Sequence, residues 1–449
     1  MTLHAAPPKA DKQALMVAGA ALLYGLSETN QFWMRPMTLT LVLDDTDVPA
    51  RFGAAAGALA AAEGTAFHHL PARFDTVRDA DAAQYVFAAG GLGPSGLVWA
   101  ERALGSPVRP ASSPAEIVAA AAAEPVTVPL HPAFLADGEA VAGLERAAAE
   151  AGIAVRRVTV VETAEGLALA DAPPGTPPLL WRDRFGGLHT SPRTEPGGPA
   201  LAIALIGAER DHRDVYPAAV ASLADAAEHL GIALDVHFVP PPGLDGAPEA
   251  IAGRLRGFAG VLLPGGSDMA NVPGQIRAAA ATLAEGVPTV GLCLGMQTMS
   301  TAVAWRAFGA AVASLAEADP AAPIKTFVAM AGTSGGAGPL PEHRTGDQPV
   351  APVAGSRLAA VLPRTPVIRC NHRFHLAPAL VPDLERAGLK VAATGCGGGV
   401  VDAVEVPAHP FFMGMQGHPE LGTRRGAPHP LLVAFLAAAA RHVRNPAVA

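Results

Sequence analysis

The segment Gly291-Leu292-Cys293-Leu294-Gly295 constrains the fold of this chain more than any other. It follows an apolar run, Thr289–Leu292, and leads into a helix-forming stretch, so the backbone must turn sharply there from buried strand to helix. A cysteine between two glycines at such a bend is the thiol counterpart of the G-x-S-x-G elbow, where bulky neighbours would clash with a strained nucleophile. The helix that follows aims its N-terminus at the sulfur, which favours the thiolate. A strand–elbow–helix unit belongs in an α/β protein, with a mainly parallel sheet flanked by helices.

The flanking pattern agrees. Leu201–Ile206, Leu234–Val239 and Val261–Leu263 read as strands, and Val215–Leu230 and Gln275–Ala284 as helices. Val400–Val406 and Phe411–Gln416 read as late strands, Leu431–His442 as a closing helix, and Asp319–Val350 as a long surface loop. The same rhythm runs through the first half: strands at Leu39–Leu43, Tyr85–Ala89, Pro125–Pro129 and Val155–Val161, with helices at Arg51–Ala62 and Leu97–Leu104. Clustered Pro and Gly from Asp171 to Pro199 predict a linker. We therefore expect two α/β domains with mainly parallel sheets. Residues 1–36 form an N-terminal extension with a short apolar helix. Residues 37–198 form a first domain of unassigned role that ends in the linker, and residues 199–449 form the second domain.

A thiol nucleophile needs a base, and the base needs an orienting acid. Gln416-Gly417-His418-Pro419-Glu420 follows an apolar strand and supplies both, with His418 as the proton carrier and Glu420 fixing its tautomer. Leu263-Pro264-Gly265-Gly266-Ser267 places a glycine pair after another strand. The N–H groups of Gly266 and Leu294 are candidates for an oxyanion hole.

These motifs, in this order, resemble the class I glutamine amidotransferases, and within them the glutaminase domain of CTP synthase. Arg213-Asp214-Val215-Tyr216, Ala408-His409-Pro410-Phe411-Phe412 and Pro428-His429-Pro430-Leu431-Leu432 extend the likeness over about residues 200–445. The resemblance implies a flavodoxin-like fold for the second domain and a Cys293–His418–Glu420 triad that hydrolyses L-glutamine to glutamate and ammonia through a thioester. It also implies contacts to glutamine from Gly265, Gln297, Glu317 and Arg373. The ammonia would pass to an acceptor, nucleotide-like by family likeness, on the first domain or a partner protein. Two departures stand out. His375 replaces an acidic residue of the family pattern, and Gly417 replaces an aromatic one.

Composition narrows the remaining choices. The 449 residues carry a formal charge of −8, which argues against nucleic acid as the main partner. The apolar run from Ala14 to Leu26 is too short to span a bilayer, and Cys293, Cys370 and Cys396 form no disulfide framework, so a soluble cytoplasmic protein is expected. No cofactor or metal is called for; Cys370 and Cys396 read as inert, and His409 and His429 as structural. Gly91-Leu92-Gly93-Pro94-Ser95-Gly96 fits the dinucleotide-loop pattern, but Pro94 breaks the helix start such a loop needs. An alternative takes Tyr85–Val108 as a degenerate copy of Gly260–Val290. Asp44-Asp45 with Asp47 reads as a solvated acidic turn. No G-x-x-x-x-G-K-[ST] occurs in residues 37–198, so an ATP- and UTP-binding synthetase half is not expected there. Self-association stays open. So do two other functions: a γ-glutamyl hydrolase or peptidase of the same fold, and a non-catalytic binding or regulatory protein.

Overall fold

The computed structural model describes residues 37–444 apart from 137, 311, 333, 336, 337, 364 and 365. The extension expected over 1–36 lies outside the described residues. Two sheets organise the rest.

The first sheet is built on β1 (Thr38–Leu43), whose four central residues are all buried, as in a strand covered on both faces. Helix α1 (Ala54–Glu63) leads to the short β2 (Ala66–Phe67). After α2 (Leu97–Leu104) and α3 (Pro114–Ala121) come β3 (Val126–Leu130), α4 (Glu139–Glu150) and β4 (Ala154–Glu162). Strands β2, β3, β1 and β4 are parallel neighbours in that order. The sheet then turns antiparallel through β5 (Gly166–Leu169), β6 (Leu180–Arg182) and β7 (Leu188–His189). The Pro/Gly-rich stretch read as a linker thus contributes two strands of the first sheet. They are too short to leave a period-2 signal.

The second sheet is assembled from β8 (Leu201–Leu205), α5 (Ala218–Leu230), β9 (Leu234–Phe238), α6 (Pro248–Leu255), β10 (Gly260–Leu263), α7 (Val272–Glu285), β11 (Thr289–Leu292) and α8 (Leu294–Phe308). Far along the chain β12 (Lys390–Gly395), β13 (Val400–Glu405) and β14 (Phe412–Met415) complete it, and α9 (Pro430–Arg444) closes the chain. The parallel part has the order β9-β8-β10-β11-β14, which is the flavodoxin-like 2-1-3-4-5 winding. Strands β13 and β12 then run antiparallel, and the two-residue strand Ala351–Pro352 pairs antiparallel with β12 at the edge. Apolar clusters cover both faces, one around Leu223, Phe435 and Met415, the other around Ile276, Met299 and Phe327. The region 319–350, expected as a loop, holds short strands, among them Phe327–Ala329 and Arg344–Pro349. No helix among the described residues is long and apolar enough to cross a membrane.

The two halves share a core. Trp99, Tyr85 and Leu188 of the first pack in one cluster with Tyr216, Ala218, Ala221 and Leu421 of the second. Charged clamps ring this seam. Both terminal nitrogens of Arg369 donate to Glu101 at 2.6 Å, and Arg102 reaches Asp225 at 3.1 Å.

Two further readings of the first half are corrected. Residues 85–86 pair with 92–93 as a separate antiparallel ribbon outside the sheet, so this segment does not copy the strand of 260–290. The Gly-rich run inside it serves packing: a Cβ at Gly93 would lie 2.4 Å from the Phe87 ring, and one at Gly96 would lie 2.5 Å from the Phe52 backbone. Asp44 is buried, not solvated, and Arg51 donates to it at 2.7 Å.

Candidate active site

Cys293 stands at the carboxyl end of β11, the position where open α/β sheets bind ligands. Its N–H donates to Met415 O at 2.8 Å, which ties the bend to β14. Its φ of 50° and ψ of −106° form a strained combination for a side-chain-bearing residue. The flanking glycines are forced by space. A Cβ at Gly295 would lie 2.0 Å from Leu263 O, and one at Gly291 would lie 2.6 Å from the Gly295 backbone. The sulfur is buried near Asn371 O at 3.7 Å, and the Gln416 amide donates to it at 3.8 Å.

His418 emerges just past β14. Its N–H donates to Arg369 O at 2.7 Å. Its Nδ1–H donates to Glu420 Oε1 at 2.7 Å, and both side chains are buried. That bond directs Nε2 away from Glu420. A Cβ at Gly265 would lie 3.3 Å from both the Cys293 Cβ and the His418 Cε1, so the nucleophile and the imidazole face each other across Gly265. Burial disfavours an imidazolium here, but the charge of Cys293 and then that of Glu420 outweigh it. The pKa of His418 is held well above the ordinary imidazole value.

Two recesses open at the sulfur. A nook of about 40 Å³ is bounded by Gly265, Gly266, Cys293 and His418, with Tyr216 and Asn371 behind them. A cleft of about 110 Å³ runs from Cys293 and Leu294 past Gln297, Glu317 and Arg373. Leu294 is the first residue of α8, so its N–H has no intrahelical acceptor. Gln297 is buried, and its Oε1 has no hydrogen-bond partner. Burial pushes the Glu317 carboxyl up, and the charge of Arg373 opposes this. All nine residues singled out from sequence therefore border one of the two recesses or, in the case of Glu420, support one that does.

Several neighbours carried no sequence signal for this location. Tyr216 donates to Glu420 Oε1 at 2.9 Å. Asp81, Gln84 and Leu92 reach the recesses from the first half of the chain. Of the other cysteines, Cys370 is buried and its thiol is pushed up to about 12. His409 bonds Thr282 O at 3.1 Å, far from the sulfur in the fold.

The class-I glutamine amidotransferase family profile matches residues 212–438, half of the chain, a span that holds all nine residues singled out from sequence. The chain belongs to that family. CTP synthase of Deinococcus radiodurans is 35% identical over 256 residues, which are 54% of this chain and 46% of that protein. CTP synthase of Thermus thermophilus is 35% identical over 233 residues, 50% of this chain and 42% of that protein. The amidotransferase chain thus spans a little under half the length of these relatives. Among solved structures it is similar to the glutaminase domain of Trypanosoma brucei CTPS with bound acivicin. The identity there is 27% and the TM-score 0.49, covering 54% of this chain and 94% of that one.

Proposed function

We propose that this amidotransferase hydrolyses the side-chain amide of L-glutamine and releases glutamate and ammonia. The observation that carries the reading is the buried line Cys293–His418–Glu420 at the carboxyl end of the parallel sheet, with the 2.7 Å His418–Glu420 bond fixing the ring.

In this reading His418 Nε2 takes the proton of the Cys293 thiol, and the thiolate attacks the amide carbon and forms a C–S bond. The carbonyl electrons move onto oxygen, which the N–H groups of Leu294 and Gly266 stabilise. Loss of one such donor costs about 3–4 kcal/mol in other enzymes. His418 Nε2 gives its proton to the departing nitrogen as the C–N bond breaks, and ammonia leaves. His418 then takes a proton from water. The hydroxide attacks the thioester, the C–S bond breaks, and glutamate departs. Gln297 and Glu317 would receive the substrate ammonium, and Arg373 its carboxylate. The unpartnered Gln297 Oε1 supports this, because a buried acceptor left alone is costly unless a ligand fills it.

The ammonia would serve an acceptor. The likeness to CTP synthases favours a nucleotide-like one and a place in pyrimidine nucleotide synthesis, and the three free cysteines fit a reducing cytoplasm.

Glutamate release from L-glutamine, followed by mass spectrometry together with adduct formation by a glutamine-analogue electrophile, tests the reading. Release and a single adduct on Cys293 are expected. Absence of both would favour a binding protein that keeps the fold.

A further inference from the structure

The nook beside His418 is walled on one side by residues of the other half of the chain. Asp81 Oδ1 accepts from the Ser267 N–H at 2.8 Å and from its hydroxyl at 2.7 Å. Its Oδ2 overhangs Gly266, 3.2 Å from where a Cβ would stand. Gln84 Oε1 accepts from the Asn371 amide at 2.7 Å, and the backbone carbonyl of Asn371 is the one beside the Cys293 sulfur. The turn that presents both side chains is itself pinned. Ser95 N–H donates to Ala82 O at 2.8 Å, and the Ser95 hydroxyl donates to Asp81 O. Arg210 clamps Asp79 at the start of the same turn.

The two recesses divide the substrate. His418 must protonate the departing nitrogen, so that nitrogen lies on the His418 side of Cys293, in the nook. In the same reading the amino-acid end would lie in the cleft lined by Gln297, Glu317 and Arg373. The nook holds about 40 Å³. By that kind of volume a cavity needs about 10–15 Å³ to hold one water-sized molecule, so ammonia fits the nook and an amino acid as leaving group does not. A substituent on the leaving nitrogen would run into Asp81 and Gln84.

We propose that Asp81 and Gln84 are specificity-determining residues that restrict the leaving group to ammonia, which makes the chain a glutaminase and excludes γ-glutamyl peptidase activity. The proposal rests on the glutaminase reading above. Asp81 also acts as a positioning residue, because it holds the Gly265–Ser267 loop against the nucleophile.

The experiment compares kcat/KM for glutamate release from L-glutamine, from its γ-N-methylamide and from γ-glutamylglycine, using the full chain. One methylene is worth roughly 10–200-fold in a fitted apolar pocket. Against the polar wall of Asp81 and Gln84 the unaltered chain should favour glutamine over the methylamide by about 10-fold or more, and over γ-glutamylglycine by more. Gln84→Gly and Asp81→Ala should each shrink the ratio by roughly 10-fold, while Asp81→Asn, which keeps the volume, should preserve it. A merely structural role would lower both rates together and leave the ratio fixed. Should Asp81→Ala not fold, Gln84→Gly decides alone, since it removes a side chain and leaves the Asp81–Ser267 bonds intact. Equal cleavage of methylamide and glutamine by the unaltered chain, or an unmoved ratio in variants that still hydrolyse glutamine, would overturn this proposal alone. Failure to hydrolyse any of the three would overturn the glutaminase reading and this proposal with it.

Discussion

Tyr216 donates its phenolic hydrogen to Oε1 of Glu420 at 2.9 Å, and the same oxygen accepts the Nδ1–H of His418 at 2.7 Å. One carboxylate oxygen therefore holds both the imidazole and a tyrosine that belongs to the apolar seam between the halves. Tyr216→Phe keeps the ring and its packing but deletes the donor. A hydrogen bond to a charged group is worth about 1.5–3 kcal/mol. The expected result is a fall in kcat of roughly 10-fold or more, with KM for glutamine little changed. Steady-state kinetics check it, and an unaltered kcat would show that Glu420 is held without the phenol.

The strained elbow predicts a trade between stability and activity. Cys293→Ala should abolish glutamate release, by about 10⁴-fold or more as for other nucleophile deletions. The melting transition should stay within about 1 kcal/mol of the parent. Cys293→Gly should be equally inactive, yet at least as stable as the alanine variant, because glycine accepts φ of 50° without strain. Calorimetry of the two variants tests this; a glycine variant that melts below the alanine one would mean that the bend is not strained.

Gly417 has no room to spare. A Cβ there would lie 2.7 Å from Ile368 Cγ1 and 2.8 Å from Arg369 O, the carbonyl that accepts the His418 N–H. Gly417→Ala must push the backbone aside right beside His418. A stability loss of about 1–3 kcal/mol is expected, together with a drop in kcat larger than unfolding explains. Denaturant titration paired with kinetics separates the two. This also accounts for the small residue where the family pattern has an aromatic side chain.

The histidines predict the acid limb of stability. Burial depresses His131 and His372 to about 3, and His212 and His429 to about 4. Each contributes stability that is present above the unfolded value near 6.5 and is lost as pH falls toward the folded value. His131 shows why, since its Nε2 accepts the Gly53 N–H at 2.9 Å and must stay unprotonated. Asp44, raised to about 6 by burial against the pull of Arg51, works in the opposite sense, as do Asp81, Asp211, Glu317 and Asp402, which burial also raises. However, His68, His69, His375 and His409 are depressed by burial as well and add to the four imidazoles. His418 is raised, so its contribution is intact below pH 6.5 and is lost only as pH climbs through its folded value. The melting temperature should therefore fall by at least about 5 °C between pH 7 and pH 5. A flat or rising profile in a calorimetric series would contradict this.

The site was legible where steric demand is compressed into a few adjacent residues. Gly291–Gly295 encodes its own bend, because both glycines answer to backbone contacts within the elbow or the neighbouring strand. Gln416–Glu420 likewise carries its base and its orienting acid two residues apart. The parallel strands of the second half were legible because they are buried on both faces and read as unbroken apolar runs. The rest depends on distant packing. Strands of two or three residues, such as β6 and β7, are shorter than any period they could display. Asp81 and Gln84 sit in an ordinary polar turn, and only the docking of the halves brings them to the sulfur. Asp44 reads as solvated until Arg51 is seen to cover it.

Leu292 and Met415 are register partners across the parallel pair β11 and β14. The gap between the elbow and the base segment is therefore set by one inter-strand spacing, about 4.8 Å, and owes nothing to the length of chain that separates them. The long excursion from α8 to β14 could lengthen, shorten or acquire new decoration, and the reactive pair would keep its alignment as long as those two strands stayed zipped.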